Sequence, residues 1–302
     1  MGQHDEHMAP LASIEFLRQA VQDTLKLSII PITGLCLDVA HKAGLLAEIL
    51  QWKSEEVTAL VYDDIEFCHK MQIAAGELLV SILRLSAHSE IDLGAAAVAK
   101  IDLNARKYPA QFCKGLAHKY DYYTAQTGIK KEGQSLGPED QIFRPPPWDA
   151  RLTISDLQTS LQAFVLERNW EKYHTPRNLL LALIGEVGEL CEIVQATPAG
   201  DSRSWPQAFK NELGQEIADV FIYLLRFADV CRLDLAKGME IAIASGADKQ
   251  LASKRHVIAD VTAREQALGR SLRMLLPVRP FIAILMSSLS VIYVSVALLR
   301  KR

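Results

Sequence analysis

The chain has 302 residues, 49% of them hydrophobic, and its 33 basic and 36 acidic side chains leave a formal charge of −3. That allows about two domains of roughly 150 residues with substantial cores, and excludes generic disorder, collagen and small disulfide scaffolds. Six of the cations (Arg270, Arg273, Arg279, Arg300, Lys301, Arg302) follow the last acid, so residues 1–269 hold 27 basic against 36 acidic side chains, −9, which argues against a nucleic-acid partner and suits a protein that collects divalent cations.

The opening MGQHDEHM is too polar for a secretory leader, and Glu6 stands where a myristoylation signal needs Ser or Thr. The five cysteines (Cys36, Cys68, Cys113, Cys191, Cys231) are scattered singly with no CxxC pair, the pattern of buried, inert thiols in a reducing compartment. Nearly every long segment then shows helical periodicity. In the first half AGLLAEILQWK (43–53) precedes ELLVSILRLSAHSEIDL (77–93), followed by KIDLNARKYP (100–109). Residues 126–149, with three consecutive prolines, have the composition of an interdomain linker. Thr153 or Ser155 is placed to cap the next helix, whose apolar face is Leu157, Leu161, Phe164 and Val165. The second half then runs through EVGELCEIVQA (186–196), a turn-rich stretch at 197–206, and DVFIYLLRFADVCRLDL (219–235). Sustained strand alternation is absent, so the expected class is all-α.

The two halves resemble each other: Arg84 matches Arg226 and Asp92 matches Asp234 at a constant offset of 142 residues, within a shared order of helix, loop, helix and IDL/LDL ending. The expected organisation is a degenerate repeat over 11–115, a linker over 116–150, and a second repeat over 151–262. At the end, Phe281 to Leu299 is a 19-residue apolar run without a charge, flanked by Arg279 and the closing RKR. A span of about 20 such residues crosses a bilayer core. The expectation is a transmembrane tail anchor holding the body on the cytosolic face of an intracellular membrane. The alternative is a buried C-terminal helix in a cytosolic protein.

Glu186, Glu189 and Glu192 recur every three residues inside an apolar stretch, and Glu216 and Asp219 repeat the device on the next long helix, with Tyr223 one turn on. Positions i and i+3 share a helical face, and acids set among Leu, Ile, Val and Phe are costly to bury without a cation. Three readings stay open at this point. One is a solvated acidic face. Another is a di-iron bundle using the tetrads EFCH (66–69) and EKYH (171–174). The last is an all-oxygen site for Mg²⁺ or Mn²⁺.

Glu186-x-x-Glu189, 26 intervening residues, then Glu216-x-x-Asp219 resembles the metal-binding signature of the all-α, MazG-type nucleoside triphosphate pyrophosphatases. The flanking ERNWEKYHTPRN run resembles the dCTP pyrophosphatase group of that superfamily. The resemblance covers about 152–240. It implies that Glu186, Glu189, Glu216 and Asp219 bind Mg²⁺, that the substrate is a nucleoside triphosphate such as dCTP or a modified pyrimidine relative, and that the products are the monophosphate and pyrophosphate. It further implies a base pocket with Trp170 and Tyr223, while Arg177 and Asn178 fit the family's PRN and equally suit a helix cap. Glu192 is the candidate water-activating base, with a surface acid as the equal alternative.

The family's QWK, its pocket histidine and its later K-x-D-x-N-x-x-x-Y-P motif are missing from the second half, where Leu161 stands in the histidine's place. The first half holds QWK at 51–53 and the K-x-D-x-N motif from Lys100, but carries Lys42, Leu45 and Ala74 where acids belong, and only Glu77 survives. The expectation is therefore an all-α pair of MazG-like bundles packed as an internal pseudo-dimer, with Trp52, Asn104 and Lys100 lent to one composite site, and room for further homo-oligomerisation. The rival is a non-catalytic, membrane-tethered module that binds nucleotide or oligomerises.

Overall fold

Helix starts are written locally in this chain. The computed structural model describes residues 13–24, 30–53, 64–116, 149 and 151–245. Its helices are α1 (Ile14–Thr24), α2 (Ile32–Leu50), α3 (Ile65–His88), α4 (Leu93–Lys107), the short α5 (Ala110–Cys113), α6 (Ile154–Glu167), α7 (Pro176–Gln195), α8 (Gln207–Val230) and α9 (235–245). Asp64 accepts from Phe67 N at 2.9 Å to open α3, and Asp92 accepts from Ala95 N at 2.9 Å to open α4. Thr153 and Asp156 form a reciprocal capping box at α6. Thr175 accepts from Asn178 N at 3.3 Å, with Pro176 at the first helical position of α7, where its missing N–H costs nothing. Each such cap contributes about 1 kcal/mol.

The apolar faces then decide the packing. α2 packs along α3 and α7 along α8, and the two pairs meet through α2 with α7 and α3 with α8. α1 lies on α3, while α4 and α6 lie on α8. Leu46, Leu79, Leu183 and Phe221, one from each of the four long helices, are fully buried in one continuous core shared by both halves. Burying each such side chain contributes roughly 1.5–3 kcal/mol. All described residues fall in a single unit that ends at Ser245.

Local features recur at the same offset that relates the two halves of the sequence. Glu90 and Arg232 both have φ of 54°, the left-handed conformation that ends α3 and α8 and turns the chain. Ile91 N donates to Ser86 O at 2.9 Å, and at the matching positions Leu233 N donates to Ala228 O at 2.8 Å. Asp92 caps α4, and Asp234 accepts from Lys237 N at 3.0 Å to cap α9. Ser13 and Thr153, just ahead of α1 and α6, meet in an antiparallel bridge, with Ile14 N donating to Leu152 O at 2.9 Å. The final helices cross over: α4 packs on α8, and α9 packs on α3 where Gly76 and Gly238 bring two backbones together so closely that a Cβ on either would overlap the other helix.

One expectation is corrected. No helix among the described residues is long and apolar enough to cross a membrane. The run at 281–299, on which the transmembrane anchor and the membrane partner rested, lies outside the described residues, so the described fold is all-α without a membrane-spanning helix. Most of the linker expected at 116–150, and residues 246–262 of the second repeat, also lie outside them. All five thiols are free; Cys36, Cys113 and Cys231 are buried as the sequence reading expects, while Cys68 and Cys191 are only half-buried, and burial pushes the Cys231 thiol up to about 12. Cys36 and Cys191 bring their sulfurs to 3.4 Å across α2 and α7.

Candidate metal and nucleotide site

The facing stretches of α7 and α8 carry the acids. Helical spacing puts Glu186 and Glu189 on one stripe of α7, and Glu216 and Asp219 on one stripe of α8. Carboxylate oxygens of Glu186, Glu216 and Asp219 lie within 4.8 Å of one another. Asp219 is buried, and one oxygen of Glu216, Oε2, is buried with no hydrogen-bond partner. Burial, then the neighbouring Asp219, Glu189 and Glu216, pushes the Glu186 carboxyl up to about 7. Burial likewise raises Glu216 and Asp219, with Lys100 opposing the shift in both. Three acids this close cannot all stay ionised without positive charge. An unpaired carboxylate oxygen within an all-oxygen cluster fits a hard divalent cation.

One cation comes from the other half. Lys100, on α4, places Nζ 2.5 Å from Asp219 Oδ2, with the two side chains only 13% and 10% exposed. Beyond this pair opens a cavity of about 580 Å³. The first half lines it with Lys100, Ile101, Asn104, Lys107 and Tyr108, and the second half with Glu186, Glu189 and Asp219 at the acidic end and Phe164, Trp170, Tyr223, His174 and Arg226 elsewhere. Trp170 donates Nε1 to Cys113 O at 3.0 Å and to Leu116 O at 2.8 Å, and stands edge-on to Tyr108 and Phe164. With its N–H already used, the ring offers only apolar surface. Burial pushes the Tyr223 hydroxyl well above its usual range, so it stays a neutral donor.

A buried strap fixes the wall between the halves. Arg168, 2% exposed, donates Nε to Tyr108 O at 2.7 Å and Nη1 to Phe164 O at 2.9 Å, and lies over the Phe164 ring. Tyr173 Oη donates to Gly115 O at 2.8 Å. These bonds hold the 108–116 segment against the end of α6.

The residues proposed from sequence are thus distributed unevenly. Glu186, Glu189, Asp219, Trp170, Tyr223, Lys100 and Asn104 share one cavity, and Glu216 joins the acid cluster. Glu192 is exposed and is not on the cavity wall. Trp52 is 88% exposed at the end of α2, also away from the wall. Arg177 donates to Lys53 O at 2.5 Å and Asn178 Nδ2 to Tyr173 O at 3.0 Å, and neither residue is on the cavity wall. The two tetrads considered for di-iron do not join the ligand group found among the described residues: Glu66 and His69 are exposed, with Glu66 2.7 Å from Lys70, and His174 Nδ1 accepts from Arg226 Nε at 3.3 Å. Sequence reasoning missed Arg226 as a cavity residue. Its one signal is a lone cation in the apolar run VFIYLLRF.

In the first half the matching positions are closed by ion pairs. Lys42 Nζ donates to Glu77 Oε2 at 2.8 Å, Ser81 Oγ donates to Asp38 Oδ2 at 2.7 Å, and Arg84 Nη1 lies 3.4 Å from the same oxygen.

Residues 174–258 match the MazG nucleotide pyrophosphohydrolase domain. That match lies in the second half of the chain. The chain is 39% identical over 111 residues to dCTP pyrophosphatase 1 of Mus musculus, covering 36% of this chain and 65% of that protein. It is 43% identical over 95 residues to dCTP pyrophosphatase 1 of Homo sapiens, covering 31% and 53% of the two chains. The Bos taurus protein of the same name is 39% identical over 111 residues, covering 35% and 64%. The match therefore spans less than two thirds of the length of each of these relatives. The acid cluster and both cavity aromatics, Trp170 and Tyr223, belong to the half in which this match lies, whereas Lys100, Asn104 and Tyr108 reach the cavity from the other half.

Proposed function

We propose that the chain hydrolyses a nucleoside triphosphate to the monophosphate and pyrophosphate, with a pyrimidine deoxynucleotide such as dCTP or a modified relative as substrate. The carrying observation is the composite cavity: a three-carboxylate cluster built around the buried Asp219 at one end, a lysine from the other half beside it, and aromatic walls beyond. In the reaction, a water oxygen bonds to the α-phosphorus, the bond from that phosphorus to the bridging oxygen breaks, and pyrophosphate leaves as the water's proton is released.

Glu186, Glu216 and Asp219 would hold Mg²⁺ or Mn²⁺, and Glu189, on the same cavity wall, adds a fourth carboxylate. Such an ion offsets phosphate charge and lowers the pKa of bound water. Lys100 and Lys107 supply cations for the phosphate oxygens, and Asn104 a neutral donor between them. Trp170, Phe164 and Tyr108 give the base an apolar slot that excludes water. Glu192 has no place in this arrangement, so it is not assigned the water-activating role.

The same reading makes the halves two copies of one helical unit, packed as an internal pseudo-dimer in which only one copy keeps its acids. The recurring caps, left-handed turns and crossed final helices support it. The test is pyrophosphate release from a nucleotide panel with Mg²⁺ or Mn²⁺, comparing wild type with Glu216→Gln. Metal-dependent release that the substitution abolishes supports the proposal; nucleotide binding with no release from any member overturns it in favour of a binding module.

A further inference from the structure

Arg226 is a buried cation at a cavity wall, and the hydrolytic reading leaves it without a task. Its side chain is 7% exposed. Glu216, Asp219, Tyr223 and Arg226 follow i, i+3, i+7 and i+10 along one face of α8. At ~1.5 Å rise per residue, Arg226 stands about 10 Å along the helix from Asp219. A sugar and a pyrimidine ring span a similar distance. The acids mark where the phosphates would sit, so Arg226 falls level with the base.

Its guanidinium is held in place beforehand. Nε donates to His174 Nδ1 at 3.3 Å, Nη1 donates to Gln162 Oε1 at 2.5 Å, and Nη1 also pairs with Asp229. These contacts leave Nη2 uncommitted among the described residues, on a side chain that lines the cavity. Because His174 accepts at Nδ1, its ring proton sits on Nε2, a second donor on the same wall. Burial and the Arg226 charge push the histidine down to about 4, so it remains neutral. The matching arginine of the first half, Arg84, is instead directed at the Asp38 carboxylate.

We infer that Arg226 reads the base of the nucleotide, donating from its guanidinium to a ring oxo group of a pyrimidine. The inference rests on the nucleotide-hydrolase reading above. A guanidinium can only donate, so it rewards an edge that presents carbonyl lone pairs and gains nothing from the amino group of adenine. Asp229, Gln162 and His174 fix the fork, so little side-chain entropy is lost on binding.

The experiment measures kcat/KM for dCTP, dUTP, dATP and an abasic deoxyribose triphosphate in wild type, Arg226→Met and Arg226→Lys, with a thermal melt of each. Losing a hydrogen bond to a charged donor should lower the pyrimidine values roughly 10- to 100-fold in Arg226→Met. The dATP and abasic values should change by less than about threefold, and Arg226→Lys should recover part of the pyrimidine loss. If Arg226→Met does not fold, the same ratio is read in Arg226→Lys, where a pyrimidine-selective loss is expected. An equal loss on every substrate, the abasic one included, shows a structural cation and overturns the inference while leaving the hydrolase intact. A wild type that turns over none of the four overturns the hydrolase reading and this inference with it.

Discussion

Lys42 donates a 2.8 Å hydrogen bond to Glu77 across α2 and α3, in the place that the match between the halves gives to Glu186 and Asp219. An ammonium therefore occupies the charge-balancing role there, and the first half needs no metal. Glu77→Gln should leave metal binding and turnover within about twofold of wild type, because it removes one partly exposed ion pair worth roughly 1 kcal/mol or less. Asp219→Asn should abolish both. Metal titration by calorimetry separates them; loss of a binding step in Glu77→Gln would show a second site.

Lys100 beside Asp219 makes a two-sided prediction. In the free protein its ammonium competes with a divalent ion for that carboxylate, so Lys100→Met should bind Mn²⁺ more tightly. With a triphosphate present the variant lacks a cation for the phosphates, so kcat/KM should fall roughly 10-fold or more. Metal affinity and turnover moving down together would contradict the competition.

Asn104 and Trp52 were both expected to complete the site, and the structure parts them. Asn104→Ala removes a polar group from the cavity wall and should lower kcat/KM about 10-fold. Trp52→Ala trims a ring that is 88% exposed and should change activity by less than about twofold. Steady-state kinetics on the two purified variants decides the matter.

His174 sets an acid limit. Burial and Arg226 take its pKa from 6.5 to about 4 in the fold. Between those values the unfolded chain binds the proton and the folded chain does not, so stability falls as pH drops from 6.5 towards 4. The loss approaches about 3 kcal/mol at most. His174→Gln keeps an acceptor for Arg226 and should flatten this slope relative to wild type in urea melts across pH 4–7. The difference between the two proteins is the readout, since the raised Glu186 carboxyl works in the opposite direction as pH rises.

Gly76 meets Gly238 where α3 and α9 cross. A Cβ there has no side chain to push aside, only backbone. Gly76→Ala should cost several kcal/mol, on the order of 3 or more, through forced separation of the helices. Gly44→Ala, with open space around its Cβ position, should be neutral or slightly stabilising. Thermal melts of the pair test whether the close crossing is needed.

Helix positions, caps and the acid pattern were legible in the chain because each depends on residues a few positions apart. Thr153 caps α6 through Asp156, and Glu186 and Glu189 share a stripe simply because a helix turns every 3.6 residues. The offset between the halves was legible for the same reason, as a repeated order of local signals. Trp52 was misplaced because a motif states residue identity and says nothing of where the end of α2 points. Arg226 was overlooked because a cation in an apolar run can face a partner, a cavity or solvent, and periodicity does not choose among them.

Sequence alone determined an all-α chain with carboxylates spaced to share helix faces, since those properties follow from composition and local helical geometry. Tertiary structure decided that Lys100 meets Asp219, that Trp170 is tied to Cys113 and Leu116, and that Arg226 is held by His174 and Gln162. These partners lie far apart in the chain and come together only because burying the apolar faces of α2, α3, α7 and α8 in one core forces the helices that carry them into contact.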